Sequence, residues 1–410
     1  AGMSCAYYLA VKGYPVTVFE KEKKPGGMLT LGIPSFRLDK AVVNSEIDIL
    51  KELGVEFKTG VEVGKDVTLD QLRSEGYKAF YLGIGASLGT AVGCKGDELS
   101  GVFTGIDFLR DVNLGKAPEI GKSVAVIGGG NVAIDVARTA VRLGADDVTV
   151  VYRRGRDEMP ADAEEVAEAE AEGVKFRFLA APAEISGSDG KAAELKVELM
   201  ELGETDAKGR RKPVGTGKFE SMKVDSVISA IGQKVELCGI AGFDTNKNGT
   251  VVANAKTCQT SVPDVFAGGD VVTGPKFAID AIAAGKEGAV SIHRYVHAGQ
   301  TLDLGRDNRD YKALDASTVA VSIGSFDTAP RQKAACGSAA EAKKTFKDLR
   351  GTLTEEQIKK EADRCLGCGC VVIDEDLCVG CGICTTKCKF DAIRLGKTLD
   401  NRGRRITARF

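Results

Sequence analysis

What this 410-residue sequence lacks narrows it first. Only two histidines, His293 and His297, are present, so a histidine-based catalytic triad has little to draw on. No run reaches about 18 apolar residues, so no membrane span is expected. The first residues lack a basic stretch followed by an apolar run and a small-residue cleavage site, so no secretory signal is expected. Lys and Arg (56) nearly balance Asp and Glu (58). A net charge of −2 argues against a general nucleic-acid binder.

Glycine is abundant and cysteine is locally dense. Much of the glycine follows apolar β-branched runs, where a phosphate-cradling fold needs it. Seven of the twelve cysteines lie between Cys365 and Cys388, while Cys5, Cys94, Cys238, Cys258 and Cys336 are scattered. Such clustering at one end of a long chain favours metal ligation in a reducing, cytoplasmic compartment over a disulfide scaffold.

Along the chain, residues 4–12 read as an apolar helix and Pro15 to Glu20 as a buried strand. Residues 39–53 have helical spacing that stops at Gly54, "VEFKTGVEV" reads as a hairpin, and "KAFYLGIGA" as a strand entering a glycine turn. "SVAVIGGGNVAIDVARTAVRLGADDVTVVYRR" is strand, glycine loop, helix and strand in one βαβ unit. "EEVAEAEAEG" reads as an exposed helix, residues 176–228 as an antiparallel β segment, and "VDSVISAIGQ" as the close of that unit. "VFAGGD" returns to a strand and turn before a long helix, and "LTEEQIKKEADRCLG" is a capped helix leading into the cysteines.

The clearest nucleotide site is the loop Gly128, Gly129, Gly130, Asn131, with Ala133 completing G-x-G-x-x-A between a strand and a helix. Glycine there permits a tight turn and lets backbone N–H groups approach a pyrophosphate at the helix N-terminus. An NAD site usually ends its next strand in an acid; here Arg153 and Arg154 stand in that place, which favours the 2′-phosphate of NADP. The opening unit carries the opposite signal. Its second strand ends in Glu20, where an acid would hold ribose hydroxyls, and Gly26 and Gly27 follow. Downstream, Asp270 follows a buried strand and fits the hydroxyls of an extended cofactor, which together with Glu20 favours a flavin site.

The cysteines carry the strongest signal. Cys378, Cys381, Cys384 and Cys388 have the C-x2-C-x2-C-x3-C spacing of a [4Fe–4S] run. Zinc is the rival, but it prefers paired knuckles, and this run is too dense for one. Cys365, Cys368 and Cys370 form a less regular group, so one or two clusters are open; Cys336 or a non-cysteine group would supply an eighth ligand. Lys389 stands where such runs usually have Pro, which affects a turn rather than a ligand.

"EKEKKPGGMLTLGIPSFRL", "VVNSEIDILKELGVEF", "IGGGNVAIDVAR", "VYRRGRDEMPA" and "FAGGDVVTGP" together resemble the FAD/NADPH oxidoreductase family of the glutamate synthase small subunit. The flavin module of dihydropyrimidine dehydrogenase and the large subunit of NADH-dependent NADP reductases share that pattern. The resemblance covers about residues 1–297. It implies an α/β fold of two dinucleotide-binding, Rossmann-like domains, one inserted in the other. From its polar composition 301–350 reads as a linker, and from its cysteine spacing 351–410 reads as a ferredoxin-like iron–sulfur domain; the resemblance places the FAD domain at 1–118 and 235–300 and the NADP(H) domain at 119–234. It implies FAD contacts from Gly2, Glu20, Gly27, Met28, Arg37, Val63, Gly269 and Asp270. NADP(H) contacts would come from Gly128 to Asn131, Arg153, Arg154, Ala230, Ile231 and Gly232. Thioredoxin reductase shares the layout but needs a C-x-x-C in its NADP domain, and residues 121–234 contain no cysteine.

The strand and glycine loop that open the family's FAD domain are missing before Ala1, so a longer chain is expected. The function expected is an NADP(H)-dependent electron-transfer subunit of a larger complex with other redox subunits or domains. It would pass electrons between NADPH, FAD and one or two [4Fe–4S] clusters, as in a transhydrogenase that could bifurcate electrons. The alternative is a glutamate synthase small subunit-like dehydrogenase feeding a glutamine-dependent partner, although there the clusters lie at the N-terminus. Intact glycine loops argue against a third reading, a scaffold with vestigial sites.

Overall fold

The computed structural model describes residues 1–205, 209–304, 329–364, 381, 383–387, 394–398 and 405–409. It divides into two units: Ala1–Asp303 with Cys336–Arg350, and Leu304–Ala335 with Gly351–Phe410.

The larger unit begins with α1 (Gly2–Val11), β1 (Thr17–Glu20), α2 (Met28–Leu31), α3 (Lys40–Glu52), β2 (Glu56–Thr59), α4 (Leu69–Ser74) and β3 (Phe80–Leu82). Then come β4 (Leu88–Gly89), β5 (Val102–Thr104), α5 (Gly105–Asn113), β6 (Ser123–Ile127), α6 (Asn131–Arg142), β7 (Asp147–Tyr152), α7 (Ala163–Ala171) and β8 (Lys175–Phe178). Three long strands follow, β9 (Ala180–Ser188), β10 (Lys191–Thr205) and β11 (Arg211–Lys223). The rest comprises β12 (Ser226–Ser229), β13 (Gln233–Lys234), β14 (Val265–Ala267), α8 (Asp270–Thr273), α9 (Ala278–Tyr295) and α10 (Ala339–Ala342).

The central sheet runs β5-β12-β6-β7-β8, all parallel. Its strands are near-continuous apolar runs because both faces are covered. Alternation divides them. Val124 and Val126 of β6 pack with Ile134, Val136 and Phe108 on the helical side. Ala125 and Ile127 pack with Ile185, Leu195 and Val197 of the antiparallel sheet β11-β10-β9. The segments before and after this sheet form the parallel pairs β1-β2 and β3-β14, with α1 against α9.

Several expectations change. The hairpin expected at "VEFKTGVEV" is absent: β2 pairs in parallel with β1, from Thr17↔Glu56 to Glu20↔Thr59. Val55 and Phe57 thereby join Ala6 and Leu50 in a core that a local hairpin would not reach. Residues 102–104 enter the central sheet before residue 119, because β12 pairs with β5. The long helix after "VFAGGD" is broken between α8 and α9 at Gly274, whose φ is +73°. The acidic helix α7 is not a solvated face throughout, since Val166 and Ala169 are buried and Glu172 is only 3% exposed. Residues 336–350, within the expected linker, belong to the larger unit; the Gly337 N–H bonds to the Leu349 carbonyl at 3.0 Å.

In the smaller unit, α11 (Glu355–Asp363) starts on a capping box between Thr354 and Gln357. The unit also contains α12 (Ile383–Lys387) and the antiparallel pair β15 (Arg394–Thr398) and β16 (Arg405–Arg409). Among the described residues, no helix is long and apolar enough to cross a membrane.

Candidate functional site

The loop between β6 and α6 is shaped by its neighbours. Gly128 has φ +146°, and a Cβ there would meet the Ala230 carbonyl at 2.5 Å. A Cβ on Gly129 would strike the Tyr152 ring at 2.5 Å. Gly130 is the N-cap of α6 and no side chain caps the helix, although the Ala133 N–H turns back to the Gly130 carbonyl at 2.9 Å. A pyrophosphate needs the room a Cβ would fill and N–H groups that no side chain caps. Both are present, so these residues fit a dinucleotide. The far rim is closed by Asn131, whose Oδ1 accepts the Asp162 N–H at 2.9 Å. On the near side, the Ala230 N–H bonds to the Ile127 carbonyl at 2.7 Å, and Gly232 accepts from the Thr90 N–H at 3.1 Å. Ile231 between them is 46% exposed.

The two arginines after β7 differ. Arg153 is exposed, and its side chain has no ion pair or hydrogen bond among the described residues. Arg154 is only 8% exposed, and its Nε donates to the Arg211 carbonyl at 2.8 Å. A guanidinium available to a ribose phosphate is therefore found at Arg153.

Two backbone turns converge at the start of α1. A Cβ on Gly83, just after β3, would lie 2.5 Å from the Gly2 nitrogen. One on Gly269 would lie 2.9 Å from the Ala1 Cβ. Glu20 closes β1 and accepts the Glu22 N–H at 2.9 Å; burial pushes its carboxyl up, partly offset by that bond. Burial likewise pushes Asp270 up, although its Oδ1 accepts the Lys276 N–H at 3.2 Å. Half-buried carboxylates at two strand ends suit hydroxyl donors, so this group fits the sugar portion of an extended cofactor. Val63 bridges Val67 and packs beside Leu82, Ile240 and Val251.

A contact between two side chains joins the segments beside the two cradles. Gln233 Nε2 lies 3.9 Å from the Sδ of Met28, the first residue of α2 after Gly27. Arg37 is turned elsewhere. Its guanidinium holds both oxygens of Asp135 at 2.9 Å and Glu165 at 3.1 Å, so it ties the α2 loop to α6 and α7. Burial pushes the Asp135 carboxyl up to about 6 against the pull of Arg37. Sequence reasoning did not single out Asp135, Tyr152 or Gln233. The signal for Asp135 was an acid inside the apolar stretch "VAIDVA".

Of the cysteine ligands expected, Cys381 is exposed and Cys384 lies on α12, half-exposed. Cys365, Cys368, Cys370, Cys378 and Cys388 lie outside the described residues. Cys336 is exposed, belongs to the larger unit and pairs through its backbone with Arg350. The donor set, thiolates at ferredoxin spacing, suits an iron–sulfur cluster.

Residues 1–285 match the family model of pyridine nucleotide-disulphide oxidoreductases, and residues 371–394 match that of the 4Fe-4S binding domain. The chain is 41% identical over 377 residues to the NADP(+)-dependent formate dehydrogenase subunit beta of Moorella thermoacetica, covering 90% of this chain and 53% of that protein. It is 34% identical to the NADPH-Fe(3+) oxidoreductase subunit beta of Geobacter sulfurreducens, covering 90% and 60%. The glutamate synthase [NADPH] small chain of Escherichia coli is 36% identical, covering 72% and 66%. The chain thus spans a little over half the length of the first two relatives. FprA of Mycobacterium tuberculosis in complex with NADPH has a similar fold, with TM-score 0.61 at 20% identity, covering 72% of this chain and 82% of that one. Thioredoxin reductase of T. acidophilum has TM-score 0.53 at 21% identity, covering 72% and 94%.

Proposed function

Because this chain belongs to the pyridine nucleotide-disulphide oxidoreductase family, we propose that it is the NADP(H)-dependent flavoprotein electron-transfer subunit of a larger redox complex. One observation carries the reading. Two glycine cradles in one unit have opposite charge at their ribose ends, Glu20 at the end of β1 and Arg153 after β7, and the segments beside them touch at Met28 and Gln233. A carboxylate suits ribose hydroxyls and a guanidinium suits a ribose phosphate, so the first cradle takes FAD and the second NADPH.

When bound, FAD supplies the conversion between the paired electrons of NADPH and the single electrons a cluster takes. The chain supplies placement. Gly128 to Asn131 and the first turn of α6 bind the pyrophosphate of NADPH, and Arg153 holds the 2′-phosphate. Gly2, Gly269, Glu20 and Asp270 bind and orient the FAD backbone. Gly27, Met28 and Ala230 to Gly232 line the crossing. Cys378, Cys381, Cys384 and Cys388 would hold a [4Fe–4S] cluster, with Cys365, Cys368 and Cys370 toward a second.

Two relatives are named as beta subunits, which supports placing this chain in a multi-subunit complex. The finer reading is an NADP-linked transhydrogenase that could bifurcate electrons. The test is an anaerobic NADPH titration of the purified protein with elemental analysis. Flavin bands and a broad absorbance near about 400 nm are expected, both bleaching with NADPH. Zinc without iron would overturn the cluster assignment, and equal bleaching by NADH would overturn the nucleotide assignment.

A further inference from the structure

We propose that the antiparallel sheet β9–β11 is a positioning arm for the loop after β7. On this proposal Arg211 and Glu158 set the nucleotide preference without touching the nucleotide. The inference rests on the reading that Arg153 meets the 2′-phosphate of NADPH.

Between Tyr152 and Asp162 the chain has only one short helical turn, Arg156–Glu158. Its order comes from elsewhere. Glu158 is 7% exposed, an unusual burial for a carboxylate. Its Oε2 accepts the Gly155 N–H at 3.1 Å, and Arg211, the first residue of β11, meets its Oε1 at 2.5 Å. The Arg211 carbonyl accepts from Arg154 Nε at 2.8 Å. A third tie runs through Leu179, whose N–H donates to the Arg154 carbonyl at 3.1 Å and whose carbonyl accepts from Met200 of β10 at 2.8 Å. Leu179 holds φ +54°, a costly conformation for leucine that these two bonds support. The same loop reaches the glycine cradle. Tyr152 Oη donates to the Glu158 carbonyl at 2.8 Å, and the Tyr152 ring fills the place a Cβ on Gly129 would take.

Arg153 thus stands on a loop whose neighbours on either side are pinned, while its own side chain is left open. Preorganisation of this kind lowers the entropy cost of ordering a long side chain on a ligand. Charge adds a second effect. Glu158 lies five residues from Arg153 in the same loop. With Arg211 in place, the carboxylate is neutralised and directed inward. Without it, a buried carboxylate would be left unpaired and would compete with the phosphate for Arg153.

The test is calorimetric titration of the full chain with adenosine 2′,5′-bisphosphate and with 5′-AMP, which involves no electron transfer. Arg211→Met should weaken the bisphosphate about tenfold, the scale of one charge-assisted hydrogen bond, and 5′-AMP by less than about twofold. In turnover, KM for NADPH should rise while kcat stays within about twofold. Arg211→Lys should stay near wild type, and the double variant Arg211→Met with Glu158→Gln should recover most of the loss. Should Arg211→Met fail to fold, Arg211→Gln takes its place with the same expectation. Equal loss for both ligands, no loss for either, or no recovery in the double variant would overturn the arm. Arg153→Gln separates the two ideas. If it leaves the bisphosphate preference intact, the 2′-phosphate reading itself fails; if it removes the preference while Arg211→Met does not, only the arm fails.

Discussion

At the scale of single residues, Gly129 and Gly130 look alike in the sequence but meet different surroundings. A Cβ on Gly129 would enter the Tyr152 ring, whereas one on Gly130 would find only Pro160 Cγ at 3.9 Å, with φ at −96°. Gly129→Ala should therefore cost about 1–3 kcal/mol in urea denaturation. Gly130→Ala should leave the unfolding midpoint unchanged yet weaken NADPH in a fluorescence titration, because there the methyl group faces the proposed ligand. The arginines show a similar split. The order of residue types after β7 was enough to place a cation at the end of that strand. Which of the two stays open was not legible, because the Arg154 partner, Arg211, lies 57 residues away.

At the scale of elements, α6 and α7 are locked by charge. Arg138 and Arg142 of α6 both hold Glu172 at the end of α7, at 2.8 and 2.6 Å, and all three side chains are nearly buried. Arg142 also lies 3.9 Å over the Phe36 ring. Burial alone would raise the Glu172 carboxyl, but hydrogen bonds from Arg142 and Arg138 outweigh it and hold it below the usual range. A carboxyl depressed on folding adds stability above its unfolded value, about 4.3, and that contribution is lost as pH falls through the lower folded value. Glu172→Gln should cost about 3–5 kcal/mol at pH 7, because it leaves the buried Arg142 without a carboxylate, while Arg138 keeps Glu165 and Glu168. In urea melts its gap from wild type should narrow below about pH 4. The crossing of α1 and α9 depends on a small residue: a Cβ on Gly285 would lie 2.3 Å from the Ala1 carbonyl. Gly285→Ala should destabilise by about 1–3 kcal/mol and lower the flavin content of the purified protein. The existence of these helices was legible from spacing and glycine stops. The burial of α7's acids was not, since their partners sit on α6.

At the scale of the whole molecule, the proposed complex is tested by what the protein carries with it. Untagged purification from the source cell, with identification of co-purifying chains, should return further redox subunits. A glutamine-dependent partner would favour the glutamate synthase-like alternative, and a lone active monomer would overturn the complex. Iron should be lost, with the broad absorbance, when Cys381 is replaced by Ala.

The glycine loops, the strand-end charges, the cysteine spacing and most helices are legible in the amino-acid order alone. These are local properties: a turn's φ, a cap, a 3.6-residue period or a ligand spacing is written within a few residues. Long-range packing decided that β2 pairs with β1 and that β5 joins the central sheet. It also decided that residues 336–350 pack into the larger unit, that Arg37 turns to Asp135, and that Arg154 turns inward while Arg153 stays open. Each of those outcomes depends on which buried surface or buried charge a residue meets, and those partners come from distant parts of the chain.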